Sequence, residues 1–68
     1  MKLIESRWNY GQGKAERTWL ADTEGELTAA FDPDSASGSS VFVISAGTAY
    51  MKNTQGKWQK IGTEEVIE

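Results

Sequence analysis

Asp32, Asp34 and Gly38 stand at spacings that could open a calcium-binding loop. The EF-hand pattern asks for Gly at its sixth position and a bidentate Glu at its twelfth, so that a sharp turn returns the last carboxylate to the ion. Ser37 and Val43 hold those places, and the two aspartates read as turn carboxylates beside Pro33. Gly38-Ser39-Ser40 lacks the lysine of a phosphate-binding loop. Gly11-Gln12-Gly13 lacks the third glycine and following helix of a dinucleotide fingerprint. The chain contains no His and no Cys, which removes the Ser-His-Asp triad, the usual neutral-pH base, zinc thiolates and disulfides. A serine nucleophile would need a lysine base, and no lysine lies in an apolar segment that would depress its pKa. Carboxylates working as acid and base need a cleft that so small a chain hardly encloses. The residues predict no enzyme, no metal and no cofactor.

Aromatic and basic residues interleave at Arg7-Trp8, Arg17-Thr18-Trp19 and Lys57-Trp58. Bases stack on exposed indoles beside cationic groups, so a single-stranded nucleic-acid-binding or regulatory β-barrel module is the alternative reading. Charge argues against it. Residues 1–21 are net positive and 22–35, with Asp22, Glu24, Glu26, Asp32 and Asp34, are strongly negative. Residues 36–62 hold only Lys52, Lys57 and Lys60, and Glu64, Glu65 and Glu68 close an acidic tail, for a net charge of -3. A phosphate-binding footprint needs Lys and Arg clustered on one face. Burial in a core or a subunit interface is the better use for the tryptophans of a small domain.

The 68 residues, 7.5 kDa, predict one domain over 1–68, of a size that is marginal when it folds alone without disulfides or metal. Oligomerisation or docking on a larger body is the remaining source of stability. No run of apolar residues reaches membrane-spanning length, and Met1-Lys2-Leu3-Ile4-Glu5 lacks the pattern of a signal peptide. The expectation is a soluble protein made in a cytosol, with no membrane partner.

Short apolar runs rich in β-branched and aromatic residues, separated by glycine turns, predict an all-β fold. It would be a small antiparallel sheet or barrel of about five strands, joining an N-terminal hairpin over 1–21 to a C-terminal three-stranded meander over 41–62. One short capped helix and a polar loop would fill 22–40, and 63–68 would be an acidic tail. A Gln12-Gly13 turn sets Tyr10 against Ala15, Trp8 against Arg17 and Ser6 against Trp19, with Arg17 beside the Trp8 indole. Gln55-Gly56-Lys57 repeats Gln12-Gly13-Lys14 as the same turn chemistry used twice. Thr23-Glu24-Gly25-Glu26 fits a capping box, with helical turns following over Leu27 to Phe31. Turns with a glycine bulge place Phe42, Ile44, Tyr50 and Trp58 on one face of the meander and Val41, Val43, Ala49, Met51 and Ile61 on the other. The Trp8/Trp19 hairpin would cover one face; the other would need the short helix or a neighbouring subunit.

Asp22-Thr23-Glu24-x-Glu26-Leu27, a Pro-containing loop, Gly38-Ser39-x-Val41-Phe42-Val43-Ile44 and Ala49-Tyr50-Met51-x-Asn53-x-x-Gly56-Lys57-Trp58 form an ordered pattern. It resembles small structural proteins and fibre or head modules of tailed bacteriophages. Ala29-Ala30-Phe31 departs from that pattern, in which Leu-Pro commonly leads into the loop. The resemblance implies a virion component, a capsid decoration protein or head, neck or fibre accessory, that oligomerises and docks on the particle. Such proteins are commonly trimeric or sit on capsomers. Its partners would be its own copies and a phage capsid or other virion protein. The candidate interface residues are Trp8, Tyr10, Trp19, Val41, Val43, Met51 and Trp58.

Overall fold

β-Branched and aromatic residues form five strands: β1 Lys2–Asn9, β2 Lys14–Ala21, β3 Ser40–Val43, β4 Thr48–Lys52 and β5 Trp58–Lys60. The computed structural model describes residues 1–67; Glu68, the end of the acidic tail, lies outside the described residues. The strands make one sheet in the order β1-β2-β3-β4-β5, open at both ends rather than closed into a barrel. The fold is all-β, as the sequence predicts.

The sheet is mixed, not wholly antiparallel, because β2 and β3 run parallel. Parallel neighbours cannot be joined by a hairpin and need a long crossover. Residues 22–39 supply it. This strap crosses one face of the sheet and buries Leu27, Ser35, Ala36 and Ser39 against it. Glu24–Glu26 form a single 3-10 turn, and the helical turns expected over Leu27 to Phe31 are absent. Phe31 N–H instead closes a turn on the Thr28 carbonyl at 3.0 Å. Of the expected capping box, the Glu26 carboxylate does reach back, accepting from the N–H groups of Asp22 (2.7 Å) and Thr23 (3.2 Å).

The N-terminal hairpin forms with a different register. Asn9 pairs with Lys14, Trp8 with Ala15 and Ser6 with Arg17, with a bulge at Ile4 between Leu3 and Glu5. The Asn9 carbonyl accepts from the N–H groups of Gln12 and Gly13 (3.3 and 2.9 Å), and its side-chain oxygen also accepts from Gln12 N–H (3.1 Å). That closes a four-residue loop over Tyr10–Gly13, with Gly13 at φ +66. From Ser6 to Asn9 this shift of two residues keeps each side chain on its expected face, whereas beyond the bulge Leu3 comes opposite Trp19 and Lys2 opposite Leu20, the reverse of the expected alternation. The slip at β3–β4 does not. Ile44 N–H bonds the Ala21 carbonyl at 2.9 Å, which extends the parallel pairing and draws Ile44 out of the hairpin. Val41 then pairs with Tyr50 and Phe42 with Ala49. A one-residue change exchanges faces, so Val41 and Val43 join Tyr50 and Trp58, while Phe42 joins Ala49 and Met51.

The core therefore lies between the sheet and the strap: Ala21, Leu27, Val41, Val43, Tyr50 and Trp58, with Trp19, Phe31 and Ile67 against it. The β1–β2 hairpin does not cover the meander; it extends the same sheet. Phe31 sits between two indoles, 5.3 Å from Trp19 and 5.5 Å from Trp58 by ring centroid. Asp32 fastens the strap. Its carboxylate accepts from Arg17 Nη1 and, at 2.8 Å, from Trp19 Nε1. Its carbonyl accepts from Lys52 Nζ at 2.9 Å and from the Ser35 hydroxyl at 2.8 Å. The expected Arg17–Trp8 contact is not made because Arg17 is held here. Asp32 has φ 44, a left-handed backbone that Asn tolerates and Ala resists.

Asp32→Asn keeps that backbone and removes the charge. It should cost about 1.5–3 kcal/mol of unfolding free energy in urea titrations followed by circular dichroism. Asp32→Ala should cost roughly 1–2 kcal/mol more, because it adds backbone strain. Equal losses in the two variants would show that the left-handed conformation contributes nothing.

Candidate interaction surface

The strap covers one face of the sheet and leaves the other open. On the open face the register aligns Leu20, Phe42 and Ala49 in a row across β2, β3 and β4, with Met51 beside Ser40 and Gln59 in the next row. Phe42 is 48% and Met51 44% exposed. Ile61 N–H bonds the Ala49 carbonyl at 2.9 Å and brings another exposed apolar residue alongside. The remainder of this face, on β1 and β2, carries Glu5, Arg7, Lys14 and Glu16. The surface is thus apolar toward β3 and β4 and charged toward β1.

The candidate interface residues divide three ways. Met51 lies on the open face, without the two valines the sequence reading grouped with it. Trp8, 54% exposed, and Tyr10 stand at the β1 edge and its loop, in edge-to-face contact at 6.4 Å. Val41, Val43 and Trp58 are corrected to core positions: Val41 is fully buried and Trp58 is 1% exposed. Trp19 is half-buried under Phe31 and spends its indole N–H on Asp32. Phe42, absent from the candidates, takes the place given to the two valines. Only the parity of one strand against its partner distinguishes them, and Lys52, in phase with Tyr50, disguises which face is inward.

Lys52 also departs from expectation. It is buried, and loss of hydration pushes its ammonium below the ordinary lysine range. It is not free to act as a base or nucleophile. Nζ donates to the carbonyls of Asp32 (2.9 Å) and Pro33 (3.3 Å) and to Ser35 Oγ (3.0 Å), and it lies 5.6 Å from the Trp58 ring centroid. The group is a fastener of the strap. A shallow cleft of about 220 Å³ opens between Met51, Gln59 and Ile61. It is smaller than the roughly 300–1,000 Å³ of small-molecule sites. Two side-chain amide hydrogen bonds, Asn53 Nδ2 to Gln59 Oε1 (3.1 Å) and Gln59 Nε2 to the Thr63 carbonyl (2.8 Å), tie its lining together.

Of the three aromatic–basic pairs, only Arg7-Trp8 remains exposed as a pair. Trp58 is buried, and Arg17 and Trp19 both bond Asp32. A series of indoles on which successive bases could stack is not present among the described residues. Comparison with protein-family models, with curated proteins and with solved structures finds no match for the chain.

On the covered face, Tyr50 donates its hydroxyl hydrogen to Glu24 Oε2 at 2.6 Å. This bond to an anion, with burial adding to it, raises the phenol to about 12. The neutral phenol is favoured in the fold, so its contribution is full below pH 10 and disappears as pH rises through about 12. In a Tyr10→Phe background, ultraviolet titration should show the remaining tyrosine ionising near 12, and Glu24→Gln should lower that midpoint. An unchanged midpoint in Glu24→Gln would remove the carboxylate as the cause.

Proposed function

We propose that the chain is a non-enzymatic assembly subunit that docks on a larger protein body through the open face of its sheet. The observation that carries this reading is the aligned row Leu20, Phe42 and Ala49 with Met51 beside it, facing outward while the strap seals the opposite face. A sheet face of this kind is covered in most proteins by a second layer. Here no segment of the described chain supplies that layer. A flat apolar patch bordered by charges fits a protein partner better than a small ligand or a nucleic-acid backbone.

The resemblance to small structural proteins of tailed bacteriophages gives the partner its class. In that form the chain is a capsid decoration or head-associated protein, produced in the host cytoplasm and resident in the virion. It stabilises the particle by adding protein contacts across its surface and by associating with its own copies. No step of chemistry is required of it.

Met51→Asp and Phe42→Asp change side chains that lie outside the core. Each should leave the unfolding free energy from urea titration nearly unchanged, within about 0.5 kcal/mol. Each should reduce co-sedimentation with tailed-phage capsids or tails at least about tenfold, since a charge would be buried unpaired. Added NaCl should change wild-type binding little, in contrast to the steep loss of a phosphate contact. A stable protein that ignores particles at every concentration would overturn the decoration reading.

A further inference from the structure

The two edges of the sheet are treated differently. At β5, Gln59 pairs with Val66, Lys60 N–H bonds the Glu65 carbonyl at 2.9 Å and Ile67 N–H bonds the Trp58 carbonyl at 2.9 Å, so the C-terminal segment closes that edge. At β1, every residue from Lys2 to Trp8 is exposed, and the strand pairs with β2 alone among the described residues. Its outer backbone groups form a template for another strand. Natural edges are commonly guarded by charged side chains, prolines, bulges or a covering segment. Here the charges are complementary to themselves: Glu5 and Arg7 flank Ser6, lie on the same face, are both largely exposed, and form an ion pair with each other at 3.8 Å.

We propose that β1 pairs antiparallel with β1 of a second copy, with Ser6 opposite Ser6, which joins two sheets into one of ten strands about a two-fold axis. In this register Glu5 of each copy faces Arg7 of the other, twice by symmetry. Moving the centre to Glu5 or to Arg7 places like charges opposite each other, which is disfavoured across a strand pair. The same register brings exposed Trp8 to the level of Ile4 in the other copy, where both lose contact with water. The bulge at Ile4 ends the regular ladder there. It confines the new pairing to the segment around Glu5, Ser6 and Arg7.

A two-fold axis normal to the sheet keeps both open faces on the same side. The dimer therefore presents two copies of the Phe42 and Met51 patch in one direction. This extends the assembly reading by naming the seam between copies, and it raises docking strength through two linked contacts instead of one.

The test uses the isolated full chain. Sedimentation equilibrium over roughly micromolar to millimolar concentrations should show a monomer–dimer equilibrium. Glu5→Arg and Arg7→Glu should each weaken dimerisation at least about tenfold. The double exchange E5R/R7E should restore it, because the pairs reform with their signs reversed. Ser6→Cys, in a chain with no other thiol, should oxidise to a covalent dimer faster than Thr28→Cys on the strap. A wild-type chain that stays monomeric, single exchanges without effect, a double exchange that fails to rescue, or equal oxidation at both thiols overturns the proposal. Docking through the open face is read separately: Phe42→Asp weakens it while leaving the dimer intact, whereas loss of the dimer removes only the gain from linked contacts.

Discussion

The fold hangs on the fastening of the strap at Phe31 and Asp32. β2 and β3 run parallel, so the chain must cross the sheet between them, and that crossing has to be held down by something other than a helix. Phe31 inserts between Trp19 and Trp58, while Asp32 gathers Arg17 and Trp19 on its carboxylate and Lys52 on its carbonyl. Apolar contact supplies the burial and the polar bonds supply the position. An unpaired Asp32 or Lys52 at this depth would be costly, and neither is left unpaired. The polar composition of residues 32–40 is therefore not that of a free loop. Ser35, Ser39 and Gln12 turn it into a laced layer, Ser39 Oγ accepting from Arg17 N–H at 3.0 Å and Gln12 bonding both backbone groups of Ser37.

Much of the strand content was legible in the sequence, and for physical reasons. Alternating β-branched and aromatic residues bounded by Gly13, Gly47 and Gly56 mark β1, β2, β4 and β5, and all three glycines take the left-handed backbone their turns need. The reach of Glu26 back to Thr23 was equally visible in its spacing, while its shorter bond to Asp22 N–H was not. Two features were not. Parallel pairing of β2 and β3 leaves no local signal, because hairpin rules speak only of neighbours joined by short turns. The orientation of Val41-Phe42-Val43-Ile44 was ambiguous because all four residues are apolar. Whether Ile44 ends the strand or begins the turn depends on a bond to Ala21, far away in the sequence.

The candidate surface was legible to the same partial degree. A face needing a second layer could be inferred from apolar content on both sides of the meander. Which residues belonged to it turned on that single register step, which put Phe42 outside and Val41 and Val43 inside. Lys52 shows the limit from the other direction. A lysine in a strand reads as a solvent-facing residue, yet the strap carbonyls of Asp32 and Pro33 and the ring of Trp58 give it a buried seat.

The three indoles occupy three environments: Trp8 open to water at the β1 edge, Trp19 half-covered by Phe31, and Trp58 sealed beneath the strap. Their emission spectra consequently separate along the chain's own architecture. Trp8 is expected to emit at longer wavelength and to be reached by iodide, and Trp58 to emit at shorter wavelength and be protected. A molecule whose strap lifted while its sheet stayed paired would expose Trp58 and leave Trp8 unchanged, so partial opening is optically distinct from global unfolding without any added label.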